Sequence, residues 1–371
     1  VRCQLLCEQL GPRPELGPVL YSFWQLHLFR AQYPESLRYA RLCLAEAGRS
    51  GNLDMLVQSY VALSNTYFWF CDLTEAEESF NRVLAHYDPV RHGHHALLFG
   101  MDPGVLALMF GTWVPQITGR LAEAAARHAE IERQSDTLRH ALSQALALNT
   151  SCCYHVNRGD AAGARRAGQA MIDLARLHGL FVYEIIGIHF RGWGLAKSGA
   201  VDQAIDEVRA TYASYVTHVG GLAQTYIAML AAGVFEEAGA VDEAIETLER
   251  ALAVAESETC RELAYHAELM RLRGDLLARA GREDEALDAL RRALDLAVER
   301  GQPPFALRAA VGMLRIAERR GEDLAAARDL VRRQLERFGP GERDEELDRA
   351  RALLGDAPGE PVEHATTREG P

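Results

Sequence analysis

The stretch GREDEALDALRRAL, residues 281–294, joins a turn glycine, a small residue five places on, and an apolar stripe. Gly281 reads as the end of one helix and Ala286 as the tight contact of the next. Leu290, Ala293 and Leu294 continue its buried face at helical spacing. The same step recurs at Gly119/Ala124, Gly159/Ala164, Gly199/Ala204, Gly239/Ala244 and Gly321/Ala326, with weaker copies at Ala31/Ser36 and Cys71/Ala76. The small residues at 36, 76, 124, 164, 204, 244, 286 and 326 are therefore spaced by 40, 48, 40, 40, 40, 42 and 40 residues. Glycine supplies only 31 of 371 residues, so six turn glycines in one register are not an accident of composition. A fixed period of about 20–50 residues marks a solenoid of stacked supersecondary units.

Each unit repeats one physical device. A residue in the left-handed conformation, which glycine adopts at least cost, ends the first helix. The small residue then lets the second helix approach it closely. Helix pairs are expected at 18–30 with 33–48, 53–70 with 73–87, 105–118 with 121–135, and 139–158 with 161–178. They continue at 181–198 with 201–217, 221–238 with 241–256, 260–280 with 283–300, and 304–320 with 323–337. The eight extra residues in one interval fall in HYDPVRHGHHALLFGMDPGV, residues 86–105, whose Asp-Pro steps and glycines predict a loop or broken turn. The expected fold is all-α, a tetratricopeptide-like right-handed superhelical solenoid of about eight pairs over residues 1–355. In such an array each unit touches only its neighbours. Asp344 to Leu354 reads as a capping helix. Residues 356–371, rich in proline and poor in anything to bury, read as a disordered tail. The opening VRCQLLCEQLG reads as the second half of a pair already under way, hence as part of something longer.

A net charge of −12 argues against nucleic acid, whose binding is built on phosphate neutralisation. Seven cysteines with no spaced CxxC pair fit a reduced, cytoplasmic chain with buried thiols. No uncharged apolar run reaches the roughly 18–20 residues that span a bilayer, so no membrane partner is expected.

The 40-residue period exceeds the 34 of ordinary tetratricopeptide repeats. With Leu6-Cys7-Glu8-Gln9-Leu10, Tyr87-Asp88-Pro89, the run Gly100-Met101-Asp102-Pro103-Gly104-Val105 and Arg191-Gly192-Trp193, the chain resembles one particular repeat region. That region is the C-terminal helical part of bacterial proteins fusing a class III adenylate/guanylate cyclase domain to an AAA-type ATPase domain. The resemblance covers about residues 1–355 and departs at Met101 and at two positions, His128 and Gly168, where a bulky apolar residue is expected. It implies catalytic domains upstream and a regulatory, non-enzymatic role for this segment.

Within the chain, each chemical constellation has a structural explanation. No Gly-Lys step exists for a phosphate-cradling loop, since the only lysine, Lys197, follows Ala196, and no GxSxG or HExxH motif occurs. His92, His94 and His95 could together hold zinc or copper, but no Cys/His spacing accompanies them, and they read as a solvated polar loop. Cys152, Cys153 and His155 read as helix packing, with inert thiols. No catalytic residue, cofactor or metal is therefore expected.

Binding has the better case. The first helices of a paired-helix solenoid line its concave wall, and counting along them selects Asn65, Phe68, Met109, Trp113, Asn149, His189, Trp193, Tyr226, Met229, Glu268 and Arg271. Aromatics mixed with amides on such a wall suit a protein or peptide segment. The other candidate is a small-molecule pocket built from Trp113, Asn149, His189, Trp193 and Tyr226. The expected function is an interaction and regulatory module, its curvature adjustable at the glycine turns, that binds a protein segment or relays a signal to upstream domains. If the small residues set the helix crossings, Ala244→Leu should overpack its crossing and destabilise the fold by roughly 1–3 kcal/mol in urea unfolding.

Overall fold

The computed structural model describes residues 15–355 apart from 136 and 220, so the expected helix at Val1–Leu10 and the tail at 356–371 lie outside the described residues. The described residues are almost entirely helical, in eight antiparallel pairs. In chain order these are α1 (Leu16–Phe29) with α2 (Tyr33–Ser50), and α3 (Leu53–Trp69) with α4 (Leu73–His86). Two short helices follow, α5 (Pro89–His92) and α6 (His95–Phe99). Next come α7 (Pro103–Ile117) with α8 (Leu121–Ser135), and α9 (Ala141–Asn157) with α10 (Ala161–His178). The fifth pair is α11 (Phe181–Lys197) with α12 (Ile205–Ser214). The sixth is α13 (Gln224–Glu237) with α14 (Val241–Glu256). The last two are α15 (His266–Arg279) with α16 (Glu283–Glu299), and α17 (Pro303–Arg320) with α18 (Ala325–Leu335), capped by α19 (Glu345–Leu354). This is a tetratricopeptide-like helical solenoid.

All eight turn residues take positive φ, from 50° at Ala31 and 61° at Cys71 to 82° at Gly199. Two second helices are started by a side-chain cap: Asp72 accepts from the Glu75 amide, and Asp160 from the Gly163 amide at 2.8 Å. Seven of the eight small residues are buried, from Ser36 and Ala76 to Ala286. The eighth, Ala326, is exposed, at the start of α18, which begins two residues later than expected.

The two irregular positions acquire reasons. A methyl on Gly168 would meet the Arg191 nitrogen at 2.6 Å and the Gly187 oxygen at 2.9 Å, so α10 and α11 touch backbone to backbone. His128 is buried with its ring stacked on Tyr154, centroids 4.0 Å apart. Other expectations shift. Residues 86–105 hold two short helices in place of a plain loop. The second helix of the fifth pair starts as a 3₁₀ turn at Val201–Gln203 and ends in a π turn at Tyr215–Val219. The seventh pair begins at His266 and not at 260.

That last difference changes the architecture. Residues 257–265 are not helical, and they reach across to the second pair. Leu263 donates its amide to the Trp69 carbonyl at 2.6 Å. Its own carbonyl accepts from Arg300 at 2.9 Å, and that of Ala264 from Gln302 at 2.7 Å. Tyr265 packs against Phe68, Tyr226 and Phe305, with ring centroids 4.7–6.2 Å apart. The C-terminal cap also returns to the third pair: α19 shares an apolar cluster with Leu121, and the Ala122 amide donates to Glu342 at 2.9 Å. Consecutive pairs do pack, but distant ones pack too, so the expectation of neighbour-only contacts fails. The curvature is tight enough for the second and seventh pairs to meet across the axis.

Glu262 is fully buried at this crossing. It accepts from the Thr225 amide at 3.0 Å, from the Thr225 hydroxyl, and from the Tyr33 hydroxyl at 3.3 Å. Burial outweighs these donors and pushes its pKa up to about 7 from 4.5. A folded pKa above the unfolded one means the folded state holds the proton more tightly. The resulting stabilisation is complete below 4.5 and is lost as pH rises to about 7. Three buried histidines, His95, His128 and His189, are lowered by burial to about 4 and act in the opposite sense, losing stability as pH falls from 6.5. The difference between wild type and Glu262→Gln isolates the carboxyl. In urea unfolding the stability of wild type relative to Glu262→Gln should decline between about pH 4.5 and about pH 7; a difference independent of pH would show that Glu262 does not titrate there.

Candidate functional site

Most of the wall read from the sequence is interior. Phe68 and His189 have no exposure, and Tyr226, Met109, Asn65 and Trp113 have 3–5%. Phe68 lies against both Phe110 and Trp113, at 5.5 Å. These six are therefore core residues and not the lining of an open groove. The physical reason is the axial crossing, which fills the space an open superhelix would leave. Asn149 is half-buried on α9 and is not among the residues around the cleft described next.

Four of the eleven do meet at one place. Trp193 of α11, Met229 of α13, and Glu268 and Arg271 of α15 line a cleft of about 310 Å³. It opens beside the axis, between the fourth to eighth pairs and the cap α19. Trp193 is half-buried, its indole over the Cα of Gly233, where a methyl would meet the ring at 3.1 Å. The small residue in α13 thus seats an aromatic at the cleft.

The floor is a chain of charges that the sequence did not reveal. Arg271 holds Glu268 through two bonds of 2.8 Å and also pairs with Asp275. Arg308 of α17 bonds Glu268 at 3.0 Å and Glu346 of α19 at 2.6 Å. It also donates to the Asn157 carbonyl at 2.7 Å, a link between the fourth and eighth pairs. Burial alone would raise the Glu268 pKa, but Arg271 and Arg308 hold it below the ordinary carboxylate value. Asp275 goes the other way: burial raises it, and Glu268 competes with it for the same guanidinium. Burial opposes the charge on both arginines, yet their carboxylate partners raise the two pKa values further.

The lining carries six cations, Arg158, Lys197, Arg271, Arg308, Arg315 and Arg349. It carries five anions, Glu236, Glu268, Asp275, Glu345 and Glu346. The cleft is therefore balanced or slightly positive in a chain of net charge −12. An apolar plate beside paired charges can bind a segment that offers an apolar side chain and a carboxylate. Only Glu268 and Arg271 of this network were legible beforehand, because they fall on the inner stripe of a first helix. Arg308 and Glu346 sit on elements whose place over α15 follows from the tertiary curvature alone.

The other constellations resolve differently. Cys152 and Cys153 are buried, and burial raises both thiol pKa values. His155 is paired with Asp160 at 2.8 Å. The histidine run is not a solvated loop: His92 and His95 have 2% and 0% exposure, and only His94 faces out. Among the described residues no helix is long and apolar enough to cross a membrane.

No family model matches the chain, and no curated protein matches it. Among solved structures, the chain is similar to the crystal structure of a Rap protein complexed with competence and sporulation factor, with a TM-score of 0.57 at 12% identity. The match covers 92% of this chain and 97% of that one, so the likeness spans the whole helical array; at this identity it speaks to the fold alone.

Proposed function

We infer that the chain is a non-catalytic interaction module of a bacterial cytoplasmic signalling protein, and that its inner cleft receives a protein or peptide segment. The observation that carries this is the half-buried Trp193 beside Met229 at the edge of the Glu268–Arg271–Arg308 network. A volume of about 310 Å³ is at the lower end of the roughly 300–1,000 Å³ that enclose a whole small molecule, and suits one or two side chains of a longer segment. The slight cationic excess favours a segment that presents a carboxylate. The solved Rap structure, of the same fold, was obtained as a complex with competence and sporulation factor, which is consistent with a helical array of this shape accepting a partner.

On this reading the bound segment bridges α11, α13, α15 and the cap, changes how these pairs sit on one another, and passes the change to upstream cyclase or ATPase domains. The sensor built from Trp113, Asn149, His189, Trp193 and Tyr226 has less support, because three of its five side chains are fully interior. Random peptides displayed on phage and selected on the immobilised chain test the reading. Enriched sequences should pair acidic with aliphatic or aromatic residues, and Trp193→Ala should weaken them at least about ten-fold, roughly 1.4 kcal/mol, at unchanged helicity. Equal capture by wild type and Trp193→Ala would sink the cleft as the binding site.

A further inference from the structure

The longest repeat interval, 48 residues against 40–42 elsewhere, holds α5 and α6, and these carry two buried imidazoles toward one carboxylate. His92 ends α5, His95 begins α6, and Asp54 lies in the first turn of α3. His92 Nε2 is 3.5 Å from Asp54 Oδ1, and His95 Nε2 is 3.9 Å from the same oxygen. All three ligand atoms lie within 4.8 Å of one another. Both Nε2 atoms are buried without a hydrogen-bond partner. Two unsatisfied ring nitrogens facing a shared carboxylate oxygen are costly as a structural core, since each buried polar atom left unpaired loses its hydration without return.

We propose that Asp54, His92 and His95 form a binding site for a divalent transition cation of the zinc class, which clamps the α5–α6 insertion onto α3.

Two imidazoles and a carboxylate are a donor set that zinc accepts, with water in the fourth position. Ligand atoms about 2.0–2.1 Å from a tetrahedral ion stand roughly 3.3–3.4 Å apart, so the 3.5 and 3.9 Å separations to Asp54 must contract a little, and the two ring nitrogens, within 4.8 Å of each other, must close to the same spacing. In the structure both Nδ1 atoms stand opposite a nitrogen donor, and ligation through Nε2 requires each ring to donate from Nδ1 instead. His92 Nδ1 accepts the Asp88 amide N–H at 2.8 Å and lies 3.1 Å from the Asp88 carbonyl, to which it would donate instead once Nε2 is a ligand. His95 Nδ1 lies 2.9 Å from the fully buried side-chain amide of Gln58. With the amide oxygen turned toward the ring, Nδ1–H donates to it and the Nε2 lone pair is left for the metal.

The insertion is anchored from other sides as well. The Tyr87 ring stacks on His92, and Phe99 contacts both His95 and Tyr21. Arg91 is the one competitor: it donates to Asp54 Oδ1 at 3.1 Å, but its side chain is half exposed and can swing into water. In the other triad of this kind, His128, Glu132 and His155, the His128 Nε2 already meets the Ser151 hydroxyl at 3.0 Å.

The test uses the full chain stripped by a chelator and titrated with Zn(II) against a chromophoric competitor, and with Co(II) for its visible d–d bands. Wild type should take up one equivalent with tetrahedral Co(II) absorption and gain in Tm. Asp54→Asn, at a half-exposed position that leaves the core intact, and His92→Asn should each weaken uptake by at least about ten-fold. Arg91→Ala should bind at least as tightly as wild type. Absence of a stoichiometric equivalent in wild type overturns the site, as does equal Zn(II) affinity in wild type and in folded Asp54→Asn and His92→Asn.

Discussion

The contact on which the rest of the geometry depends is Tyr265 lodged on the superhelix axis between Phe68, Tyr226 and Phe305. Burying one such ring contributes on the order of 1.5–3 kcal/mol, and each edge-on aromatic neighbour adds roughly 0.5–1.5 kcal/mol. The rings come from helices nearly 240 residues apart in sequence, so they hold the first-half and second-half pairs at a fixed distance across the array. An open tetratricopeptide superhelix leaves its concave side to solvent. Here the side chains that would line that surface are spent on closing it, and the cleft beside Trp193 lies toward the C-terminal pairs.

A buried axis imposes a second requirement, a hydrogen-bond partner for each polar group that reaches it, which Asn65 Oδ1 and Trp113 Nε1 do not meet. Glu262 satisfies it through Thr225 and Tyr33. Asn157 does so at the border between the buried axis and the wet cleft. Its side chain donates to Gln116 at 3.0 Å and its carbonyl receives Arg308 at 2.7 Å. The cleft floor is thus tied to the axial packing through a single residue at the end of α9. A partner that displaced Arg308 would act on the core as well as on the surface charges.

The repeat was legible because its markers are local: a left-handed turn and a small residue five positions later need no knowledge of distant sequence. Even the unusual Ala31 and Cys71 turns fell into the register, and both take positive φ. The concave wall was not legible in the same way. A 3.6-residue stripe says that Phe68, Trp113 and Tyr226 face inward, but not whether inward means water or another helix. That depends on residues 257–265, which carry no periodic signal and read simply as the start of the next helix. The histidine run was seen but misread for a similar reason. Its carboxylate partner, Asp54, precedes His95 by 41 residues, close to one repeat period, and such a juxtaposition is visible only once neighbouring pairs are stacked. Gly168 likewise looked like a defect in the pattern until the α11 backbone was found against it.

The crossing at Leu263 and Trp69 also bears on how an array of this kind can evolve. Linear solenoids lengthen by duplicating a unit, because an added pair meets only its two neighbours. In this chain an extra pair between the second and seventh would rotate Trp69 away from Leu263 and Glu262 away from Tyr33, leaving a carboxyl and two backbone groups stranded in the interior. The number of pairs between those two points is therefore locked by a hydrogen bond, and growth is confined to the stretches outside the closed turn.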